Sequence, residues 1–220
     1  MDELTKVVEK FKVNGNEENA KAMKAYLKDQ FEFLGIKSPE RKDLQKEFLK
    51  SIDKNSEINK VWILQLWNYQ YREFQYIAMD YLIKLKKNLK EEHMELIEVL
   101  IVTNSWWDTV DILASHMVGE LCRMYPNLIE KYILKWAVSE NVWLRRTAII
   151  YQIKYKETVD TRMLEYAICE NMSDNEFFIR KAIGWSLREY SKVNKSWVKE
   201  FISKNKLSSL SVREASKYLG

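Results

Sequence analysis

Glycine and proline, the residues that most often end helices, are scarce: the 220 residues include five glycines and two prolines. A protein built of strands and tight turns would need more of both, so the scarcity predicts an all-α fold. Long apolar runs are missing as well. No stretch approaches the ~20 apolar residues of a membrane span, and the N-terminal segment lacks the apolar run of a signal peptide. We expect a soluble protein of the cytoplasm.

The sequence also lacks the residue patterns of metal and cofactor sites. Its two cysteines, Cys122 and Cys169, lie far apart with no CxxC spacing. Its histidines, His93 and His116, have no partners at zinc-ligand spacing. There is no glycine-rich phosphate loop, and Gly184 of the GWS sequence falls inside a helical pattern, not at a nucleophile elbow. We therefore predict neither a metal ion nor an organic cofactor.

Charge is unevenly distributed along the chain. The formal net charge of +4 is too small to indicate a nucleic-acid partner by itself. Residues 1–110 hold 18 Lys and Arg against 19 Asp and Glu, whereas residues 111–220 hold 18 against 13. The positive excess therefore belongs to the C-terminal half.

Four similar segments recur at intervals of 35 residues. They begin at Arg72, Trp107, Val142 and Phe177 and read REFQYIAMDYLIKLKK, WDTVDILASHMVGELC, VWLRRTAIIYQIKYKE and FFIRKAIGWSLREYSK. Each begins with bulky or aromatic residues and continues with apolar residues at helical spacing, which predicts a helix in every copy. Further helical stretches lie between them, such as HMELIEVLIV, YPNLIEKYILKWAV and TRMLEYAICEN. The repeating unit is therefore a pair of helices.

Helix pairs repeated at this period are typical of a HEAT-like α-solenoid, in which stacked antiparallel pairs form a concave surface. We predict one such domain over residues 1–220. A helical bundle with coincidental self-similarity is the alternative. Residues 1–35 are expected to form an N-terminal helical cap, in which KAYLKDQFEFLG is a helix ending at a C-cap glycine, Gly35.

Two weaker copies extend the array at its ends. One runs from Ser38 to Phe48, with Ser38 as the helix cap and Pro39 in the first turn. A degenerate last copy of the repeat occupies residues 208–219. Both predict further short helices.

The repeat alignment brings a polar column together. It places Tyr76, Asp111, Arg146 and Lys181 at equivalent positions, so we expect them along one ridge of the solenoid. A single charged residue on a helix is most often a solvated edge. A column of them indicates a binding surface, because solenoids bind their partners on the concave face.

Tryptophans accompany this column at helical spacing. Trp107 lies four residues before Asp111, so an indole and a carboxylate project from the same side of one helix. Trp185 and Arg188 share a helix face three residues apart. Trp106 points elsewhere, and we expect it to pack in the core. For either Trp107 or Trp185 taken alone, a core position would be the preferred interpretation.

The segments SWWDTVD, NVWLRRTAIIYQIKYK and FFIRKAIGWSLREYSK closely resemble the AlkD-type DNA alkylation repair glycosylases. AYLKDQFEFLGI, SPERKDLQKE and REFQYIAMD follow the same family order, so the resemblance covers nearly the whole chain. It implies a HEAT-like fold with a basic concave cleft for duplex DNA. It also implies release of 3-methyladenine and 7-methylguanine type lesions.

By this resemblance, Asp111 matches the catalytic aspartate, and Trp107 and Trp185 match the two tryptophans that flank the deoxyribose and backbone of the lesion. Glycoside hydrolysis ordinarily needs a carboxylate for the sugar cation and an acid for the leaving group. A purine alkylated at N3 or N7 already carries the charge that the acid would supply. One oriented carboxylate is then sufficient, which predicts a monofunctional alkylpurine DNA glycosylase.

The resemblance also implies how DNA is held. Arg146 and Arg188 match DNA-contacting arginines, Tyr26 matches a cleft tyrosine near the lesion, and Lys181 adds a cation for phosphate contact. The cleft of this family grips the backbone around the lesion, so base flipping is not expected. We expect a monomer that acts on double-stranded DNA of the nucleoid.

Two other functions compete with this interpretation. A non-catalytic HEAT-like protein could bind distorted or branched DNA, but a carboxylate such as Asp111 facing phosphates would then weaken binding. A protein–protein scaffold would present an apolar or acidic groove, not the column of Arg146, Lys181 and Arg188. We therefore favour the glycosylase.

Overall fold

A computed structural model describes residues 2–220, and all regular structure in that range is helical. No β-strand forms among these residues; the only extended pairing is an isolated bridge between Glu32 and Tyr71. The predicted all-α fold is thereby confirmed. The chain divides into two compact units, the first ending at Leu89 and the second running from Lys90 to Gly220.

Polar side chains cap several helices of the first unit. The helices are α1 (Glu3–Lys12), α2 (Glu17–Tyr26), α3 (Ser38–Leu44), α4 (Lys46–Ser51), α5 (Lys60–Trp67) and α6 (Arg72–Leu85), with a closing 3-10 turn at Lys86–Asn88. Asp2 caps α1, Asn16 caps α2 and Asn59 caps α5, each by accepting a hydrogen bond from a backbone N–H three residues later. These caps satisfy N–H groups that lack partners within the helix.

The second unit contains the remaining helices. These are α7 (His93–Val102), α8 (Trp107–Ile112), α9 (Gly119–Met124), α10 (Leu134–Ala137), α11 (Val142–Ile150), α12 (Thr161–Cys169), α13 (Phe177–Ser191), α14 (Lys195–Lys204) and α15 (Ser209–Ala215). The π-helical turn Leu113–Val118 joins α8 to α9, and a second π-helical turn, Ile129–Ile133, leads into α10. No helix within residues 2–220 has both the length and the apolar composition to span a bilayer.

Helices begin at the starts of the four sequence repeats. The first residues of α6, α8, α11 and α13 are Arg72, Trp107, Val142 and Phe177. The intervening helices are also where the pattern predicts them, since α7 matches HMELIEVLIV and α12 lies within TRMLEYAICEN. Helix starts therefore recur every 35 residues. The helix pair as the repeating unit and its arrangement as a solenoid stay predictions.

Equivalent positions of the four copies share the same burial. Ala78, Leu113, Ala148 and Ile183 stand 35 residues apart and are each at most 1% exposed. In the second unit α11 packs against α13, which brings two of these core positions onto neighbouring helices. The polar column lies two residues earlier in each copy. A shift of two residues turns a helix by about 200°, so the column lies on a different face from this core.

The predicted N-terminal helix through Gly35 is wrong. Helix α2 ends at Tyr26, and Lys28 and Asp29 both adopt left-handed backbone conformations with φ of 59°. Residues with a Cβ adopt that conformation at a cost, and it stops a right-handed helix. The segment that follows has no helix or strand as far as the start of α3, apart from the bridge residue Glu32.

A buried carboxylate from α6 holds this irregular segment. Glu73 is fully buried, and its two oxygens accept hydrogen bonds from the backbone N–H groups of Leu34, Gly35 and Ile36 at 2.9–3.1 Å. Gly35 has φ of +87°, and a Cβ there would lie 1.9 Å from the carbonyl oxygen of Asn16. Glycine is therefore required at Gly35, for a close backbone approach in place of the predicted helix cap.

Ser38 does not cap a helix, contrary to the prediction. It is the first residue of α3, the N-cap position is occupied by Lys37, and no side chain hydrogen-bonds there. Pro39 lies in the first turn as predicted, where its missing N–H costs nothing. At the other end of the chain, Ser208 caps α15 by accepting from the N–H of Ser211, which confirms a helix in the last copy.

Glu73→Ala is expected to destabilise the protein strongly, because three backbone N–H groups lose their acceptor. Each unsatisfied buried group costs about 1–3 kcal/mol, so the free energy of unfolding in urea should fall by about 3 kcal/mol or more. Glu47→Ala is the control, since the Glu47 side chain is 73% exposed; it should change stability by no more than about 0.5 kcal/mol. Equal losses in the two variants would contradict this role of Glu73.

Candidate active site

Helix α8 presents an indole and a carboxylate on one side. Trp107 is its first residue, and Asp111 follows one turn later. Directly after α8 the helix loosens into the π-helical turn, and the Ser115 hydroxyl donates a hydrogen bond of 2.7 Å to the carbonyl oxygen of Asp111. π-helical turns are rare and are frequent at functional sites.

Asp111 forms a two-pronged ion pair with the equivalent residue of the next repeat, Arg146. The guanidinium donates from Nε to Oδ1 of Asp111 over 2.7 Å and from an Nη atom to Oδ2 over 2.8 Å. This parallel geometry fixes the plane of the carboxylate as well as its position. The 35-residue alignment predicts that these two residues share a ridge, and the structure brings them into direct contact.

Arg146 is itself held from a third repeat. Its other terminal nitrogen donates to the backbone carbonyl oxygen of Phe178 in α13, at 2.5 Å. The arginine side chain is 6% exposed and that of Asp111 is 16% exposed. A charge this deeply buried is tolerated only when paired, and here Asp111 and a carbonyl oxygen pair with it.

Burial raises the pKa of the Asp111 carboxyl above its usual value of 3.8. The hydrogen bonds and charge of Arg146 lower that pKa, and so oppose part of the rise, while the nearby charge of Asp108 adds to it. Asp111 is therefore largely shielded from water, and Arg146 balances part of its negative charge.

The Asp111–Arg146 pair forms part of the lining of a pocket of about 280 Å³. The pocket is lined by Trp107, Asp111, Arg146, Phe177, Phe178, Lys181, Trp185, Arg188 and Glu214. All these residues belong to the second unit. The structure thus brings six of the seven predicted site residues to one cavity.

The seventh predicted residue, Tyr26, belongs to the first unit. It is the last residue of α2, and 70% of it is exposed. Tyr76, the member of the polar column in the first unit, lies on α6 with the Arg41 guanidinium 5.2 Å from its ring centroid.

Sequence reasoning missed Glu214, an acid among the cations of the pocket. Its Oε2 accepts from Arg188 at 2.6 Å and from Lys217 at 2.8 Å, while its Oε1 lies 3.1 Å from Nζ of Lys181. The Lys217 hydrogen bond, supported by Lys181, holds the pKa of the Glu214 carboxyl at about 2. Glu214 is thus an anion at any physiological pH.

A glycine lets Glu214 reach the pocket. A Cβ at Gly184 in α13 would lie 2.5 Å from the Cβ of Glu214 and 3.0 Å from the carbonyl oxygen of Ser211, so α15 packs directly on the bare backbone. An isolated glycine in a helical pattern indicates such a close approach. That signal is present in the sequence, but it does not say which residue approaches.

Aromatic rings pack beside the ion pair. Trp106 contacts Phe178 edge to face at a centroid distance of 5.0 Å and Trp143 at 5.6 Å, and Trp143 and Phe178 are 4.9 Å apart. Trp106 thus packs against these rings, but it is half-buried and lies outside the fully buried core that the sequence predicts for it. Phe178, whose carbonyl oxygen holds Arg146, is fixed by this cluster, and neither it nor Phe177 was predicted for the site.

No three His, Cys, Asp or Glu side chains within residues 2–220 come together in a way that could hold a metal ion. The acids of the pocket, Asp111 and Glu214, are each engaged by basic side chains. What the pocket offers chemically is therefore a fixed carboxylate, two indoles and an array of cations.

The chain is similar to known proteins along nearly its whole length. The sequence model of a family described as DNA alkylation repair enzyme matches residues 7–219. No curated protein sequence matches the chain significantly.

Solved structures resemble it as well. One is described as a predicted DNA alkylation repair enzyme from Enterococcus faecalis; it is 36% identical, with a TM-score of 0.86 over 94% of this chain and 97% of its own. AlkD2 from Streptococcus mutans is 20% identical, with a TM-score of 0.61 over 91% and 99% of the two chains. The protein smu.31 from Streptococcus mutans UA159 is 19% identical, with a TM-score of 0.59 over 93% and 98%. The last two similarities show a shared fold.

The ion pairs of Glu214 should stabilise the protein in a defined pH range. Because the pKa falls from the usual 4.5 to about 2 on folding, this stabilisation is complete above pH 4.5 and disappears as the pH drops toward 2. Glu214→Gln should therefore reduce the free energy of unfolding at pH 6 and reduce it progressively less toward pH 2. A reduction that stays constant over this range would exclude the proposed ionisation. Glu200→Gln, in an exposed pair with Lys204, is the control and should have little effect.

Proposed function

This chain belongs to the DNA alkylation repair enzyme family, and on that premise we propose that it is a monofunctional DNA glycosylase releasing cationic 3-alkyl- and 7-alkylpurines from duplex DNA. Family membership gives the role in DNA repair. The observation that carries the finer proposal is the Asp111 carboxylate, fixed by Arg146 in a pocket that Trp107 and Trp185 also line.

One carboxylate is enough for this reaction. The C1′–N bond of an alkylated purine breaks with the base leaving as a neutral molecule, because the alkyl group has already placed a positive charge on the ring. Positive charge then develops on the sugar, where the Asp111 carboxylate stabilises it electrostatically. Water adds to C1′ and loses a proton to the solvent, which leaves a neutral sugar. Burial makes this interaction stronger than it would be in water.

Trp107 and Trp185 extend the same preference for positive charge. An indole face attracts a cation with about 0.5–2 kcal/mol, depending on desolvation, so the two rings stabilise the positive charge that develops on the sugar. Undamaged purines are spared because they are poor leaving groups. Selection by leaving-group chemistry requires no tight pocket around the base.

The same chemistry supports binding without base flipping. Enzymes that flip a base enclose the base itself. Here the carboxylate and the two indoles that line the pocket act on the sugar, and the leaving group needs no protein contact to depart.

The cations of the pocket divide between two roles. Lys181 and Arg188 keep 38% and 21% of their side chains exposed, and we assign them to DNA phosphates. Arg146, assigned to DNA contact from sequence, is 6% exposed and binds Asp111 and the Phe178 carbonyl oxygen. Because Arg146 binds these two groups, we propose that its main contribution is to orient the Asp111 carboxylate. Tyr26 remains proposed for DNA contact, in a protein that acts as a monomer at chromosomal DNA.

A non-catalytic DNA-binding protein is the second candidate, and one observation favours it. Arg146 neutralises Asp111, so the carboxylate repels phosphates less than an unpaired acid would. Its presence is therefore compatible with binding alone. The raised pKa and the two tryptophans still favour chemistry, because binding phosphates requires neither.

Release of 7-methylguanine from a duplex oligonucleotide tests the proposal. At saturating DNA and fixed salt, we expect the wild type to release the base and Asp111→Asn to be at least about 100-fold slower with DNA affinity preserved. Asp108→Asn, three residues earlier in α8, is the matched control and should keep its rate. A folded, DNA-binding wild type that releases no base would establish the second candidate instead.

The pH dependence of release tests the role of Arg146. The rate requires ionised Asp111, so it falls as the pH drops through a pKa that burial places above 3.8. Arg146→Gln removes the hydrogen bonds and the charge that lower this pKa. The pH at which the single-turnover release rate falls on the acid side should therefore be higher in this variant. Arg145→Gln, which breaks a neighbouring pair with Asp174, should leave that pH unchanged. If the acid side of the pH–rate profile is the same in Arg146→Gln as in the wild type, the proposed role of Arg146 is contradicted. Spontaneous depurination is subtracted throughout.

A further inference from the structure

Glu214 contacts three cations and is almost completely buried, 6% of the residue being exposed. We propose that Glu214 is a positioning residue for DNA binding, which holds Lys181 and Arg188 at fixed places on the pocket wall so that they receive phosphates of the damaged strand. The inference rests on the proposed function, because it takes duplex DNA as the ligand of the pocket.

The geometry of α13 explains why one acid can serve both cations. Lys181, Gly184 and Arg188 are separated by three and four residues, so they lie on one helix face. Gly184 leaves a gap between the two cations, and Glu214 of α15 fills it. Each carboxylate oxygen then binds one of the two cations: Oε1 pairs with Lys181 and Oε2 with Arg188.

The position of Glu214 is itself well determined. The Ser211 hydroxyl, three residues before it, donates a hydrogen bond of 2.9 Å to the carbonyl oxygen of Arg180 in α13. Lys217, which does not line the pocket, also binds Oε2. These contacts fix the carboxylate before any ligand arrives, so it can act as a rigid reference for the two flexible cationic side chains.

Lys and Arg side chains lose much rotamer freedom when they bind a phosphate. Cations already held by Glu214 lose less of it on binding, which favours association. The negative charge of Glu214 acts in the opposite direction, because it repels phosphates. The sign of the change in affinity on removing that charge therefore distinguishes positioning from repulsion.

The test measures binding of an unmodified duplex oligonucleotide by fluorescence anisotropy at several salt concentrations. If Glu214 positions the cations, Glu214→Gln weakens binding several-fold, although the variant is more positive than the wild type. The slope of log K against log salt should also become shallower by about 0.9 for each phosphate that the variant no longer neutralises. Glu200→Gln, which removes an acid from an exposed pair of the same unit, should bind slightly more tightly or unchanged. Glu214→Gln binding as tightly as the wild type, or more tightly, would overturn the proposal.

A mutant cycle separates positioning from a general loss of structure. Glu214→Gln should cost nothing further in duplex affinity when Lys181 and Arg188 are both replaced by Met, because the residues that it positions are gone. A further loss in that background would mean that Glu214 acts only through the fold. If Glu214→Gln does not fold, Glu214→Asp, whose shorter side chain reaches the cations less well, carries the same comparison.

Kinetics distinguish this inference from the glycosylase proposal. On a duplex containing 7-methylguanine, Glu214→Gln should raise KM several-fold and leave the single-turnover rate at saturating DNA unchanged, whereas Asp111→Asn lowers that rate. If the wild type binds the unmodified duplex but releases no base, the glycosylase proposal fails and the binding test of Glu214 still stands. A lowered rate at saturation with unchanged affinity would contradict a positioning role.

Discussion

The ion pair between Asp111 and Arg146 is the interaction on which the rest of the site depends. Taking either charge out of water alone is unfavourable, so each makes burial of the other possible. The pair joins α8 to α11, and the Phe178 carbonyl oxygen extends it to α13. The aromatic cluster around Trp106 packs on Phe178, next to this fixed charge. The cations of α13, Lys181 and Arg188, line the same pocket as the ion pair.

Much of the fold was predictable because the sequence repeats. Apolar spacing predicted the starts of α6, α8, α11 and α13, since each copy carries the same apolar stripe. The alignment also placed Asp111 and Arg146 on equivalent positions, and the structure joins them in an ion pair. Within the second unit, these equivalent positions are therefore in contact although they are 35 residues apart in sequence.

The parts that were missed depend on contacts between residues distant in sequence and outside the repeat register. The sequence predicts a helix up to Gly35, yet Glu73, about 40 residues further on, binds the backbone of residues 34–36 in a non-helical form. In the sequence, Glu214 has the pattern of a surface acid on a short helix. Only the structure shows that α15 packs directly against α13 at Gly184. Neither partner can be identified from local propensity, because the deciding hydrogen bonds form only after the helices pack.

Arg146 forms hydrogen bonds to two neighbouring repeats, and these bonds limit where whole repeats can be inserted or deleted in evolution. Repeat arrays commonly change length by gaining or losing whole units. Here the carboxylate, its arginine and the carbonyl oxygen come from three consecutive copies, so a unit inserted or deleted between residues 107 and 178 would separate them. Length variation among descendants of this chain should therefore fall outside that stretch, and the three copies should be inherited together as a single indivisible block.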